Sequence, residues 1–190
     1  MAISDPANFS LVSNGLLDFW NIGYLSEGQT GLTWLHPHLL SESTMKPRID
    51  FYTASPDALK AMIALETAVS KLPLEKNLIE LVKLRTSQIN GCAFCLDMHS
   101  ADARKGGEDE RRLYTLSAWR ETPFFTPRER AALAWTESLT LVSQTHAPDE
   151  DYELATSEFS PKEMVDLTVA ITTINAWNRL AIGFRKMPQA

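Results

Sequence analysis

Basic residues are scarce in this chain and never cluster. Eighteen Lys and Arg stand against 24 Asp and Glu, a formal net charge of −6. Nucleic acids and anionic membranes both require grouped cations, so neither is expected as a partner. Long apolar runs are missing too, and none approaches the roughly 18 to 20 residues that span a bilayer. The first residues lack a positive segment followed by an uninterrupted apolar one, so no secretory signal is read there and a cytoplasmic location is expected. Cysteine is rarer still. Two cysteines in 190 residues exclude the disulfide scaffold of a small secreted protein. Alternation of apolar and polar residues with period two is absent as well, which leaves nothing to build a strand. What remains, 44% hydrophobic and 22% charged residues, is the composition of a globular protein long enough for one domain with a buried core.

Residues 1–44 differ from the rest. They hold Asp5, Asp18, Glu27 and Glu42 but no Lys or Arg, and so account for four of the six net negative charges. Gly15, Gly23, Gly28, Gly31, Pro6 and Pro37 interrupt any helical period. Phe19, Trp20 and Trp34 argue against a purely solvating tail, because disordered segments are poor in aromatics. Two readings stay open, an arm that packs on the domain or on a neighbouring subunit, and an extension ahead of a start at Met45. His36 and His38 flank Pro37, and a turn with solvated imidazoles accounts for them.

From 45 to 190 the pattern is helical. Ser55-Pro56 opens a helix through about Ser70 whose Leu59, Met62, Ile63, Leu65 and Ala68 share a face. Pro73 opens a second, with Leu74, Leu78, Leu81, Val82 and Ile89 as its stripe, and Asn90-Gly91 ends it. A third runs from Cys92 to Lys105 and stops at Gly106-Gly107, and a short one covers about Glu108 to Trp119. Thr126-Pro127 with Glu129 and Ser160-Pro161 with Glu163 are capping boxes. The first opens a helix to about Ser143, the second the longest helix, to about Phe184. Residues 146–159 read as a loop with a short helix. The fold predicted is all-α, a bundle of about six or seven helices.

Chemistry concentrates in Glu80 to His99, ELVKLRTSQINGCAFCLDMH. A C-x-x-C pair in a reducing compartment is a redox dithiol or half of a metal site. Cys92, Cys95 and His99 are spaced i, i+3, i+7 and can share one helical face. An imidazole one turn from a thiol accepts its proton, and the positive end of the helix dipole at Gly91-Cys92 favours thiolate. Glu80 is different, since in one continuous helix it would lie about 18 Å from Cys92. A fold-back at Asn90-Gly91 would bring it near His99 instead. The competing reading is a metal site of Cys92, Cys95 and His99, completed by Glu80, His146 or water. Structural zinc sites draw on two separated ligand pairs, however, and one pair is present here. Asp97 and Asp102 read as a solvated face, and Trp177 as core. Asn178 and Arg179, beside Asn175, read as caps to neighbouring helices or as interface residues.

The pattern Glu80, Cys92, Cys95 and His99, with LVKLRTSQINGC and CLDMH around it, resembles the signature of alkylhydroperoxidase D-like (AhpD-like) proteins of the carboxymuconolactone decarboxylase superfamily. The stretch from Ile174 to Arg179, INAWNR, is similar to the last helix of a peroxidase-related subgroup. The resemblance spans about Met45 to Met187. It implies an AhpD-like helical bundle that forms trimers or hexamers, and a peroxidase that reduces hydroperoxides with its dithiol and needs no cofactor. Cys92 and Cys95 would be the peroxidatic and resolving pair, with Cys95 favoured for attack. Glu80 and His99 would be a proton relay, and a lipoylated protein, a thioredoxin or a small thiol would restore the dithiol. One departure stands out: well-characterised members carry a histidine just before the second cysteine, where this chain has Phe94. The decarboxylase branch lacks the cysteine pair, so its lactone chemistry is not expected.

Overall fold

A computed structural model of the protein describes residues 46–188; the expectations for 1–44, including His36 and His38, lie outside them. Nine α-helices follow one another: α1 (Phe51–Ala54), α2 (Pro56–Val69), α3 (Lys76–Asn90), α4 (Ala93–Lys105), α5 (Glu110–Thr115), α6 (Pro127–Thr140), α7 (Val142–Thr145), α8 (Asp149–Glu158) and α9 (Pro161–Phe184). A 3₁₀ segment, Leu116–Glu121, follows α5. No strand occurs among the described residues. Setting aside α1 and α7, each a single turn, seven helices remain, in keeping with the all-α bundle expected.

Both capping boxes form as read: Thr126 and Glu129 cap each other at α6, and Ser160 and Glu163 do so at α9. Three details differ from expectation. The α3 helix begins at Lys76 rather than Pro73, leaving Leu74 to bury itself from the preceding turn. The α6 helix stops at Thr140, because Leu141 takes a non-helical conformation and starts the separate turn α7. Residues 146–159 hold a loop and a short helix as read, the ten-residue α8, whose Ala155 is buried. On α2, Leu59 and Val69 face inward while Ile63 and Leu65 are exposed.

The central element is α3, packed on α4, α6 and α9. One side of it, with Leu78, Ile79 and Val82, meets Ala131, Ala132, Leu167 and Ile171 of α6 and α9. Another, with Leu81 and Leu84, meets Ala103, Leu116, Phe125 and Leu133. An all-round burial of this kind places polar side chains inside, and each needs a partner. Arg85 finds Glu137 of α6 at 2.7 Å, and the same carboxylate accepts from Trp119 Nε1 at 2.8 Å. Ser87 donates to the Lys83 carbonyl at 2.8 Å.

Gly91 then reverses the chain. It sits at φ 71°, ψ 34°, the left-handed region, where the Cys92 N–H reaches the Ser87 carbonyl at 3.0 Å and closes the helix end. The next helix therefore returns alongside α3. A Cβ at Gly91 would meet nothing within 4 Å, so a side chain here pays only for the backbone conformation. Gly91→Ala is expected to destabilise the protein by about 1–2 kcal/mol, and Gly91→Asn by less, since Asn tolerates that region. Thermal unfolding of the two variants checks the ranking.

Candidate active site

The fold-back places α4 so that His99 Nδ1 lies 2.9 Å from Glu80 Oε2. The two residues are nineteen apart in sequence and come from antiparallel helices. His99 is 6% exposed, and an imidazole so buried is oriented by whatever holds its ring nitrogens. A carboxylate can only accept, so Nδ1 carries a proton and donates it to Glu80, which leaves Nε2 as the ring nitrogen not tied to the glutamate.

Cys92 is the N-cap of α4 rather than a residue within it, and its Sγ accepts the Cys95 backbone N–H at 3.4 Å. Both thiols are free and buried. Their titration is shared. The Cys92 thiol is lowered to about 7, chiefly by the hydrogen bond from the Cys95 thiol, against burial and helped by the Cys95 N–H. The Cys95 thiol is pushed above its ordinary range, chiefly by donating to Cys92 and also by burial, while the Asn178 side chain opposes the shift. The pair thus loses its first proton near neutrality and retains the second, with the negative charge resting at the helix N-terminus.

Three asparagines brace this turn from behind. Asn90, the last residue of α3, donates to Asn175 Oδ1 at 3.0 Å and to Asn178 Oδ1 at 2.9 Å, both on α9. Asn178, fully buried, donates to Ser87 Oγ at 3.2 Å. The expectation that α9 polar residues cap a neighbouring helix thus holds for Asn178, whereas Arg179 turns back to Asn175 of its own helix at 2.8 Å. Asn90 was read from the sequence only as part of the helix-ending turn, and Ser87 was not singled out; its only signal was a polar residue at the closing turn of an apolar helix.

In front of the thiols lies a cavity of about 310 Å³. Phe51, Tyr52, Phe94, Met98, Ile174 and Trp177 give it apolar walls, and Cys95 and His99 line it together with the charged Glu66, Glu80, Lys83 and Asp102. Cys95 borders this space and Cys92 does not. Phe94, standing where a histidine was noted as usual, forms part of the wall and packs with both cysteines. Asp97 and Asp102 are exposed as expected, and Asp102 also reaches the cavity rim. Trp177 is only partly core: it lines the cavity and donates through Nε1 to Glu66 Oε2 at 3.1 Å. His146 caps α7 in a left-handed conformation and does not line the cavity. Among the described residues no three His, Cys, Asp or Glu side chains are grouped so as to hold a metal ion, and no helix is long and apolar enough to cross a membrane.

The described residues thus form an all-α bundle with a buried C-x-x-C pair and, nearby, a glutamate–histidine pair. Residues 56–138 match the carboxymuconolactone decarboxylase family. YdfG of Bacillus subtilis is 42% identical over 139 residues, 73% of this chain and 95% of its own. A protein of Agrobacterium tumefaciens, of unknown function and described as a candidate antioxidant-defence protein AhpD, superposes with a TM-score of 0.75 at 47% identity, over 76% of this chain and 99% of that one. A peroxidase-related protein from Silicibacter sp. TM1040 superposes with a TM-score of 0.65 at 26% identity, over 73% and 74% of the two chains. The chain belongs to the AhpD-like group of the carboxymuconolactone decarboxylase superfamily.

The shared proton has a measurable signature. Thiolate absorbance near 240 nm is expected to rise by one thiolate per chain through about pH 7. In Cys95→Ala, which removes the donor to Cys92, that step moves to higher pH.

Proposed function

We propose that the protein is a dithiol hydroperoxide reductase. The observation that carries this reading is the Glu80–His99 pair, 2.9 Å apart, in the same apolar cavity that Cys95 borders. Cys95 is the attacking sulfur, because it meets the cavity, and His99 is the base that takes its proton while Glu80 steadies the ring. The Cys95 thiolate attacks the distal oxygen of the hydroperoxide and the O–O bond breaks. Cys95 becomes a sulfenic acid, and the departing alkoxide takes the proton from His99 to leave as an alcohol. The Cys92 thiolate, stabilised at the helix N-terminus, then attacks the Cys95 sulfur. A Cys92–Cys95 disulfide forms, and the hydroxide that leaves is protonated to water. Two electrons from an external thiol, such as a lipoylated protein, a thioredoxin or a small thiol, restore the dithiol.

The apolar walls favour an alkyl or aryl hydroperoxide over hydrogen peroxide, since the body of the substrate buries against Phe51, Phe94 and Trp177. An antioxidant role in the cytoplasm, in a trimeric or hexameric assembly, fits the family resemblance. Zinc at the thiols is the alternative chemistry; the lack, among the described residues, of three His, Cys, Asp or Glu side chains grouped to hold a metal ion favours the redox reading.

One equivalent of an alkyl hydroperoxide is expected to link Cys92 and Cys95 in a disulfide that dithiothreitol reverses, as read by mass spectrometry of the intact protein. Cys92→Ser and Cys95→Ser should each abolish turnover. Glu80→Gln should slow it about 10- to 100-fold, part of the 10²–10⁴ that general acid–base catalysis supplies, with the far-UV circular dichroism unchanged. Thiols that stay free or pass straight to sulfinic acid would rule out the dithiol cycle.

A further inference from the structure

Each of the two sulfurs has a donor of its own, and they come from different helices. Cys92 Sγ accepts the Cys95 backbone N–H at 3.4 Å, within the first turn of α4. Cys95 faces α9, where Ile174 and Ala181 pack with both cysteines. Asn178 stands between those two residues, about one turn from each, on the same face and wholly buried. A side-chain amide in such a place needs an acceptor for each N–H.

The neighbours fix which way that amide points. An arginine only donates, and Arg179 Nη1 lies 2.9 Å from Asn175 Oδ1, so Asn175 presents its oxygen there. Asn90 meets the same oxygen at 3.0 Å and must offer Nδ2. With its second N–H that nitrogen reaches Asn178 at 2.9 Å, which makes the facing atom Oδ1. Asn178 Nδ2 is therefore turned the other way. One of its N–H bonds goes to Ser87 Oγ at 3.2 Å, whose own proton is committed to the Lys83 carbonyl. The other meets the Cys95 side chain, where it acts against the upward shift of that thiol.

We infer that the Asn178 amide is the standing hydrogen-bond donor to the Cys95 sulfur, so that α9 supplies a group to the thiol chemistry. The inference rests on the reading of Cys95 as the attacking sulfur and deepens it. A thiolate on Cys92 is held by the head of α4, whereas a thiolate on Cys95 lies inside the helix and gains the Asn178 N–H instead. A donor to the charged form favours that form, so Asn178 raises the share of the pair's negative charge that Cys95 carries. The ionisable groups about Cys95 are Cys92, His99 and Asp102 on its own helix, Glu80 and Lys83 on α3, Glu66 on α2 and Tyr52 on α1. Ile174, Trp177 and Ala181 of α9 reach the cavity without a charge. Asn178 can thus be changed with every one of those charges in place.

The test uses the full-length Cys92→Ala protein, in which Cys95 is the one thiol and titrates alone. Iodoacetamide rates from about pH 6 to about pH 11 give its midpoint. Asn178→Leu, close in volume and without a donor, should raise that midpoint by about 1 to 2 pH units, the worth of a hydrogen bond to a charged group. The alkylation rate at neutral pH should fall about 3- to 10-fold, less than the loss of thiolate, because a more basic thiolate is the better nucleophile. In this variant Asn90 keeps Asn175 and Ser87 keeps the Lys83 carbonyl. Ser87→Ala removes the other partner of Nδ2 and should leave the midpoint where it was; a shift as large as that of Asn178→Leu would mark packing as the cause and overturn the inference. If Asn178→Leu does not fold, the Asn178 side-chain amide, read by 15N NMR in the Cys92→Ala protein, should move with the same midpoint as Cys95. A signal that stays still through that titration overturns the inference. An unmoved midpoint in Asn178→Leu does so too and leaves the dithiol cycle untouched. A raised midpoint in a protein whose thiols form no disulfide with peroxide upholds the donor and removes the peroxidase reading.

Discussion

A half-buried carboxylate needs a partner, and the arrangement of this bundle follows from how that partner is supplied. Glu80 lies on the central helix, where leaving its charge unpaired is costly. Its partner, His99, comes from the next helix, which can approach only because the chain doubles back between them. The reversal is made by one glycine in a conformation that other residues avoid. Turn, pairing and thiol placement are thus one device: the turn that brings His99 to Glu80 also sets Cys92 at the head of α4.

The same logic governs the interior of α3. Lys83, Arg85 and Ser87 are buried or nearly so, and each finds its partner on a different neighbour: Glu66 on α2, Glu137 on α6, Asn178 on α9. Apolar packing supplies most of the favourable free energy. The polar pairs add direction, because a hydrogen bond between two helices is satisfied in one register and not in the next. The site inherits its geometry from those registers.

Much of this was legible in the sequence where local rules govern. Two capping boxes, the Gly91 reversal and the i, i+3, i+7 spacing of Cys92, Cys95 and His99 depend on residues a few positions apart. The pairing of Glu80 with His99 was legible as a consequence of the reversal. Hidden was everything that a distant partner decides. Nothing in the sequence marked Lys83, since nothing nearby announces Glu66, seventeen residues upstream. The α8 helix was read only as a short helix without bounds, because DEDYELATSE has little apolar content and Ala155 is the one residue it buries fully. Ile63 and Leu65 looked like core because periodicity finds a face without telling which way the face points.

The sulfur of Cys92 serves as the helix cap of α4 as well as a member of the thiol pair. As a thiolate it accepts the Cys95 N–H and meets the positive end of the helix dipole; in a disulfide it carries no charge to offer either. Every interaction that favours the charged sulfur therefore favours the reduced protein over the oxidised one. By linkage, a disulfide formed between these two sulfurs would be reduced more readily than one between ordinary thiols.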